Sequence, residues 1–153
     1  MGHLRTAIIV VLTALVSTLV VGLGSPARAV TTSEYRNAAY RTINHIRANR
    51  DLHELAKAEC LQQFARQQAR RMARKKIVYH QVLHDVQAEC GLEYVGEALV
   101  AGYKTGRGAV RRGLMKSAPH REILLDSASR KIGVGAKKAR GGGWYLCVLV
   151  GHA

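Results

Sequence analysis

The chain has 153 residues, with 24 lysines and arginines against 10 acidic residues, for a formal charge of +14. That length suits one domain of ordinary size, and the charge directs the protein to anionic partners: phosphate-rich wall polymers, acidic lipid headgroups or nucleic acid. Nucleic acid is the weakest of these, because Trp144, Phe64 and six tyrosines form no repeated stacking pattern. A solvated basic face that only aids solubility is the plain alternative.

In chain order, the first element is a leader. Arg5 supplies a positive start, Ala7 to Leu23 is almost uninterrupted apolar sequence, and Ala27-Arg28-Ala29 is an A-x-A cleavage site. The expected leader is residues 1–29, and the expected domain is residues 30–153. Gly24-Ser25-Pro26 breaks a helix where a signal peptidase needs extended chain, which favours cleavage over retention as a membrane anchor. Cleavage removes Arg5 and Arg28, so the exported domain keeps a charge of about +12 and no stable membrane span. A nucleic-acid partner is disfavoured further by export.

Thr31-x-x-Glu34 is a capping box. After it, Tyr35, Ala38, Ala39, Thr42, Ile43 and Ile46 recur at helical spacing. Leu61, Phe64, Ala65, Gln68, Ala69, Met72 and Ala73 mark a second amphipathic helix, with Arg66, Arg70, Arg71 and Arg74 on its solvated faces. Shorter helices are expected at Val82–Glu89 and Ala109–Lys116, and Pro119 opens another at its first turn. Strand patterns follow at 94–100, 132–136 and 144–150, the last two joined by a glycine-rich hairpin at 137–143. Helices before and between antiparallel strands imply an α+β layered domain. The three cysteines, Cys60, Cys90 and Cys147, allow one bridge in an oxidising compartment. Cys60 with Cys90 is the favoured pair, because each lies beside a helical segment and the loop they close contains His80. Cys147, within an apolar strand, reads as a small core residue.

Two imidazoles and a carboxylate carry most of the visible chemistry: His80, Glu97 and His120. Such a set can ligate a divalent cation such as Zn²⁺ or move protons near neutral pH. His80 and His84 have the i, i+4 spacing of a zinc-binding helix, but Gln81 stands where that motif needs a glutamate base, so His84 reads as a surface residue. Arg121 is placed to bind an anion beside His120 or to pair with Glu122 or Asp126.

Several motifs in order, Asn44–Arg47, Cys60-Leu61 to Met72-Ala73, His80-Gln81, Gly96-Glu97, Ala101-Gly102-Tyr103, Ser117-Ala118-Pro119-His120-Arg121, Ile132–Gly135 and Trp144-Tyr145, resemble the CAP superfamily, also called SCP/TAPS, in its secreted bacterial form. The resemblance implies a three-layer α-β-α sandwich with a small antiparallel sheet and a cleft bearing two histidines and two glutamates. By motif, His80 and His120 match the two histidines and metal ligands, and Glu97 matches the orienting acid. The second glutamate has no counterpart, since residues 98–119 contain no acid, and Ala98, Leu114 and Ile123 replace an asparagine, a tryptophan and an asparagine of the family pattern. The expectation is therefore a secreted, non-enzymatic module for lipid, sterol-like or anionic wall ligands. A metal-dependent hydrolase or peptidase acting through His80, Glu97 and His120 is the alternative.

Overall fold

The computed structural model describes residues 28–153. The leader read from residues 1–29 lies outside the described residues except for its last two. Helix α1, Thr32–Ala48, begins at the expected capping box: the Thr31 hydroxyl accepts from the Glu34 amide, and the Glu34 carboxylate accepts from the Thr31 amide. Its Tyr35, Ala39, Ile43 and Ile46 are buried, as the 3.6-residue period demands. Helix α2, Glu59–Lys75, buries Leu61, Ala65, Ala69 and Met72 and ends at Lys76 in the left-handed region, φ 57°. Helix α3 is Leu83–Cys90, one residue later than expected at both ends.

Four strands form one sheet in the order β1-β3-β4-β2. β2, Tyr94–Ala101, and β3, Lys131–Ala139, both pair antiparallel with β4, Gly142–His152. β1, Ala56–Lys57, adds a two-residue parallel strand beside β3, so the expected antiparallel ladder is extended into a mixed sheet. The hairpin is tighter than the sequence suggests. Both strands run on through Ala139 and from Gly142, and positive φ at Gly141 and Gly142 closes the turn.

Period-2 alternation sends side chains of this sheet into two cores. Ala98, Ile132, Val134, Leu146, Val148 and Val150 meet Tyr35 and Ile43 of α1, with Leu124 of the last helix, α5, Ala118–Leu125. Val95, Leu99, Cys147 and Leu149 meet Leu61, Ala65, Ala69 and Met72 of α2 and Val86 of α3. The result is an α-β-α sandwich, with both cores built wholly from residues 35–150. Glycines set the spacing of one interface: a Cβ at Gly135 would stand 1.9 Å from the Ala65 carbonyl oxygen, and one at Gly133 would stand 2.3 Å from the Leu61 carbonyl. Strand glycines thus let α2 rest on the backbone of β3.

The regular helix expected at Ala109–Lys116 is not formed. Instead the chain makes a short turn α4, Gly106–Gly108, a π turn at Ala109–Gly113 and a 3₁₀ turn at Leu114–Lys116. Gly106, Gly108 and Gly113 are poor helix formers, and Gly106 is needed for packing, because its Cβ would lie 2.0 Å from the Tyr35 carbonyl oxygen. A disulfide joins Cys60 at the start of α2 to Cys90 at the end of α3, Cα atoms 5.6 Å apart, and encloses the loop that carries His80.

Candidate functional site

The site is built at the edge strand of the sheet. Glu97 projects from β2 between Val95 and Leu99 and is 2% exposed. A carboxylate there must be hydrogen-bonded to be tolerated, and four donors meet it. His80 Nδ1 donates to Oε2 at 2.7 Å, and the Gln81 amide nitrogen donates to the same oxygen at 3.3 Å. The Gln81 side-chain Nε2 donates to Oε1 at 2.7 Å, and the Cys147 thiol donates to Oε1 at 3.5 Å.

A further layer holds those donors. Arg71 Nη2 donates to Gln81 Oε1 at 3.0 Å, Arg71 Nε donates to Gln68 Oε1 at 2.9 Å, and Gln68 Nε2 donates to the Tyr79 carbonyl. The α2 helix therefore fixes the 79–81 segment, which fixes the His80 ring against Glu97. Gln81, which reads in sequence as a lost catalytic base, is required as an amide here. It donates to a carboxylate and accepts from an arginine, and a glutamate would set two carboxylates against each other.

His120 comes from the other helical layer, in the first turn of α5. Its ring centroid lies 6.5 Å from that of His80, with the planes inclined at 50°. Burial holds its pKa below the ordinary imidazole value, the nearby His80 adds to this, and Glu97 opposes it. A ring so placed is neutral near pH 7, the ligating form. Gly96 helps to bring α5 in, since a Cβ there would stand 2.7 Å from Ile123 Cγ2. The His80 and Glu97 side chains are thus in contact, with the His120 ring beside them.

The remaining candidates fall elsewhere. His84 lies in α3 with its side chain 89% exposed and makes a 3.7 Å contact with Asp85. His80 itself precedes α3, so the two histidines do not form a helical ligand pair. Among the described residues Arg121 makes no salt bridge with an acid; its Nη1 donates to the Met115 carbonyl at 3.2 Å and ties the 3₁₀ turn to α5. Cys147 is fully buried, and burial first and then the Glu97 charge push its thiol pKa well up, so it is an inert proton donor to Glu97. Sequence reasoning placed Cys147 in the core but missed this bond, along with the Arg71 and Gln68 support.

Can these residues hold a metal ion? His80 spends Nδ1 on Glu97 and leaves Nε2 for a ligand, which is the carboxylate–histidine arrangement that orients metal ligands. Two imidazoles sharing an ion at about 2.0–2.1 Å stand with centroids up to about 6 Å apart, and the two rings here are 6.5 Å apart. Both Glu97 oxygens are taken up by its donors, and among the described residues no cluster of three His, Cys, Asp or Glu ligands forms. The donors on offer are two imidazole nitrogens, with water left to complete any coordination sphere.

A sequence profile of the cysteine-rich secretory protein family, CAP, matches residues 40–150. The chain belongs to the CAP family. An outer surface protein of Borrelia burgdorferi shares the CAP fold with a TM-score of 0.72 and 20% identity over 80% of this chain and 96% of its own. An extracellular protein of Bacillus anthracis containing an SCP domain matches at TM-score 0.66 and 20% identity, over 83% of this chain but only 45% of its own. NaASP2, solved with Zn²⁺, matches at 0.57 and 12% identity, over 84% of each chain. Among curated protein sequences none matches. These neighbours share the fold, and the two bacterial ones are extracellular or outer-surface proteins. No helix among the described residues is long and apolar enough to cross a membrane.

Proposed function

We propose that this CAP protein is an exported, non-enzymatic binding module that holds a divalent cation, Zn²⁺ or a similar ion, through His80 and His120. Its basic surface or cleft takes a lipid, sterol-like or anionic wall ligand. The observation that carries this reading is the state of Glu97: both of its oxygens are engaged, by His80 and by Gln81. Hydrolysis at such a site needs a free carboxylate or other base within reach of water. The stretch that would supply a second acid, residues 98–119, has none. The arrangement instead suits holding one imidazole in a fixed tautomer and orientation. A bound ion there would supply Lewis-acid character and an acidified water. NaASP2, a protein of the same fold, was solved with Zn²⁺, which supports the choice of ion.

Calorimetric titration with zinc chloride tests the proposal. The wild type should give a saturable heat that His80→Ala/His120→Ala abolishes. Equal heats from the two proteins would sink the site.

A further inference from the structure

Two grooves on this molecule are lined by cations. One is about 310 Å³ and lies between α1 and α4, lined by Arg41, His45, Arg107 and Arg111 with Ala38 and Thr42. The other, about 810 Å³, runs between the end of α2 and the β3–β4 hairpin. Arg70, Arg74, Lys76, Lys137, Lys138 and Arg140 line the larger groove, with no acidic residue among them. All six are exposed, and none makes a salt bridge among the described residues. Six like charges converge there from two separate elements, so the groove repels itself until an anionic surface neutralises it.

A second feature follows in the chain directly from Lys76, which lines this groove. Lys76 ends α2 in the left-handed region, and the chain then runs directly into Ile77 and Val78. Ile77 is 58% exposed, Val78 45% and Val82 65%; the other exposed large apolar residue of the described chain is Val30. Single exposed apolar residues need no explanation. Three on one seven-residue loop, continuous with a cationic groove, combine the two attractions of a peripheral membrane site: insertion of apolar tips and charge pairing with headgroups. A soluble polyanion would use the groove but not the tips.

We propose that the face made by the end of α2, the 76–82 loop and the β3–β4 hairpin docks on an anionic lipid bilayer, with Ile77, Val78 and Val82 entering the headgroup boundary. This rests on the reading of the chain as an exported binding module and names the partner of its basic surface. The docking loop contains His80 and Gln81, so membrane contact also bears on the segment that supports Glu97.

The test is co-sedimentation of the polypeptide from residue 30, which carries both cores and the disulfide entire, with vesicles. The vesicles are phosphatidylcholine alone or phosphatidylcholine mixed with phosphatidylglycerol. Binding should need the anionic lipid and weaken steeply with salt. Lys137→Glu/Arg140→Glu should lower the partition coefficient at least about tenfold, and Ile77→Ser/Val78→Ser/Val82→Ser should lower it several-fold. Arg107→Glu/Arg111→Glu, the same change in net charge at the smaller groove, should lower it less than about threefold. Equal losses from the two charge-reversal variants would overturn the proposal, since binding would follow total charge. So would full vesicle binding by the serine variant, which would make the groove a site for soluble polyanions. All substituted residues are exposed, and an unchanged thermal transition confirms folding. Zinc titration of the same preparations separates the proposals: vesicle binding without zinc heat sinks the metal site alone, and the reverse sinks the docking face alone.

Discussion

Arg47 and Glu97 are both charged and both buried, yet they are satisfied in opposite ways. Arg47, fully buried at the end of α1, gives Nε to the His53 carbonyl, Nη1 to those of Leu124 and Asp126, and Nη2 to that of Ser129, at 2.9–3.3 Å. Burial works against its charge, and the Asp126 carboxylate supports it. Every partner is backbone, so the guanidinium acts as a clamp joining α1, the 49–55 loop, the end of α5 and the 126–130 turn. Glu97 is held mainly by side chains, and one of them, His80, is 60% exposed. The first node is closed and can only stabilise. The second leads from the core to solvent through an imidazole.

That contrast can be broken by substitution. The largest effect is expected from Arg47→Met, which removes the guanidinium from four carbonyls, those of Leu124 and Ser129 in buried bonds, and should cost about 3–5 kcal/mol in urea unfolding, while the zinc heat per folded molecule stays at the wild-type value. A loss below about 1 kcal/mol would show that the clamp is not structural. Next comes Cys60→Ser/Cys90→Ser. The bridge closes a separation of 30 residues and should contribute about 3–4 kcal/mol; because the loop carries His80 and Gln81, zinc affinity should fall as well. Glu97→Gln keeps the shape of the buried side chain but places an amide where two donors converge. It should cost about 1–3 kcal/mol and weaken zinc about 10–100-fold. Loss of stability with unchanged zinc affinity would make Glu97 a second Arg47.

The smallest effect is the pH response of His120. Its folded-state pKa is lowered, chiefly by burial, so the unfolded chain takes up the proton first. The contribution of His120 to stability is therefore full above the ordinary imidazole value of about 6.5 and falls as pH drops from there through the folded pKa. An NMR titration of its ring should give a midpoint below 6.5, and a higher midpoint would contradict the burial argument.

The difference between these nodes also explains what the sequence could reveal. Helices α1 and α2 were readable because the capping box and the spacing of Leu61, Ala65, Ala69 and Met72 are local signals. β1 was not, because Ala56 and Lys57 are exposed and owe their pairing to Lys131 and Ile132, far along the chain. His80, Glu97 and His120 stood out through their motifs. Arg71, Gln68 and Cys147 carry no motif, and their roles exist only once α2, β2 and β4 are side by side. Gln81 shows the limit most clearly, since its bonds to Glu97 and Arg71 are invisible until those elements meet.

The central claim is that the two histidines, oriented from the core by Glu97, form one ligand site. A zinc-soaked crystal measured for anomalous scattering at the zinc edge tests it most directly. A peak is expected between His80 Nε2 and the His120 ring, with Glu97 still bonded to His80 Nδ1. Absence of a peak there, or zinc bound directly to Glu97 with His80 released, would contradict it.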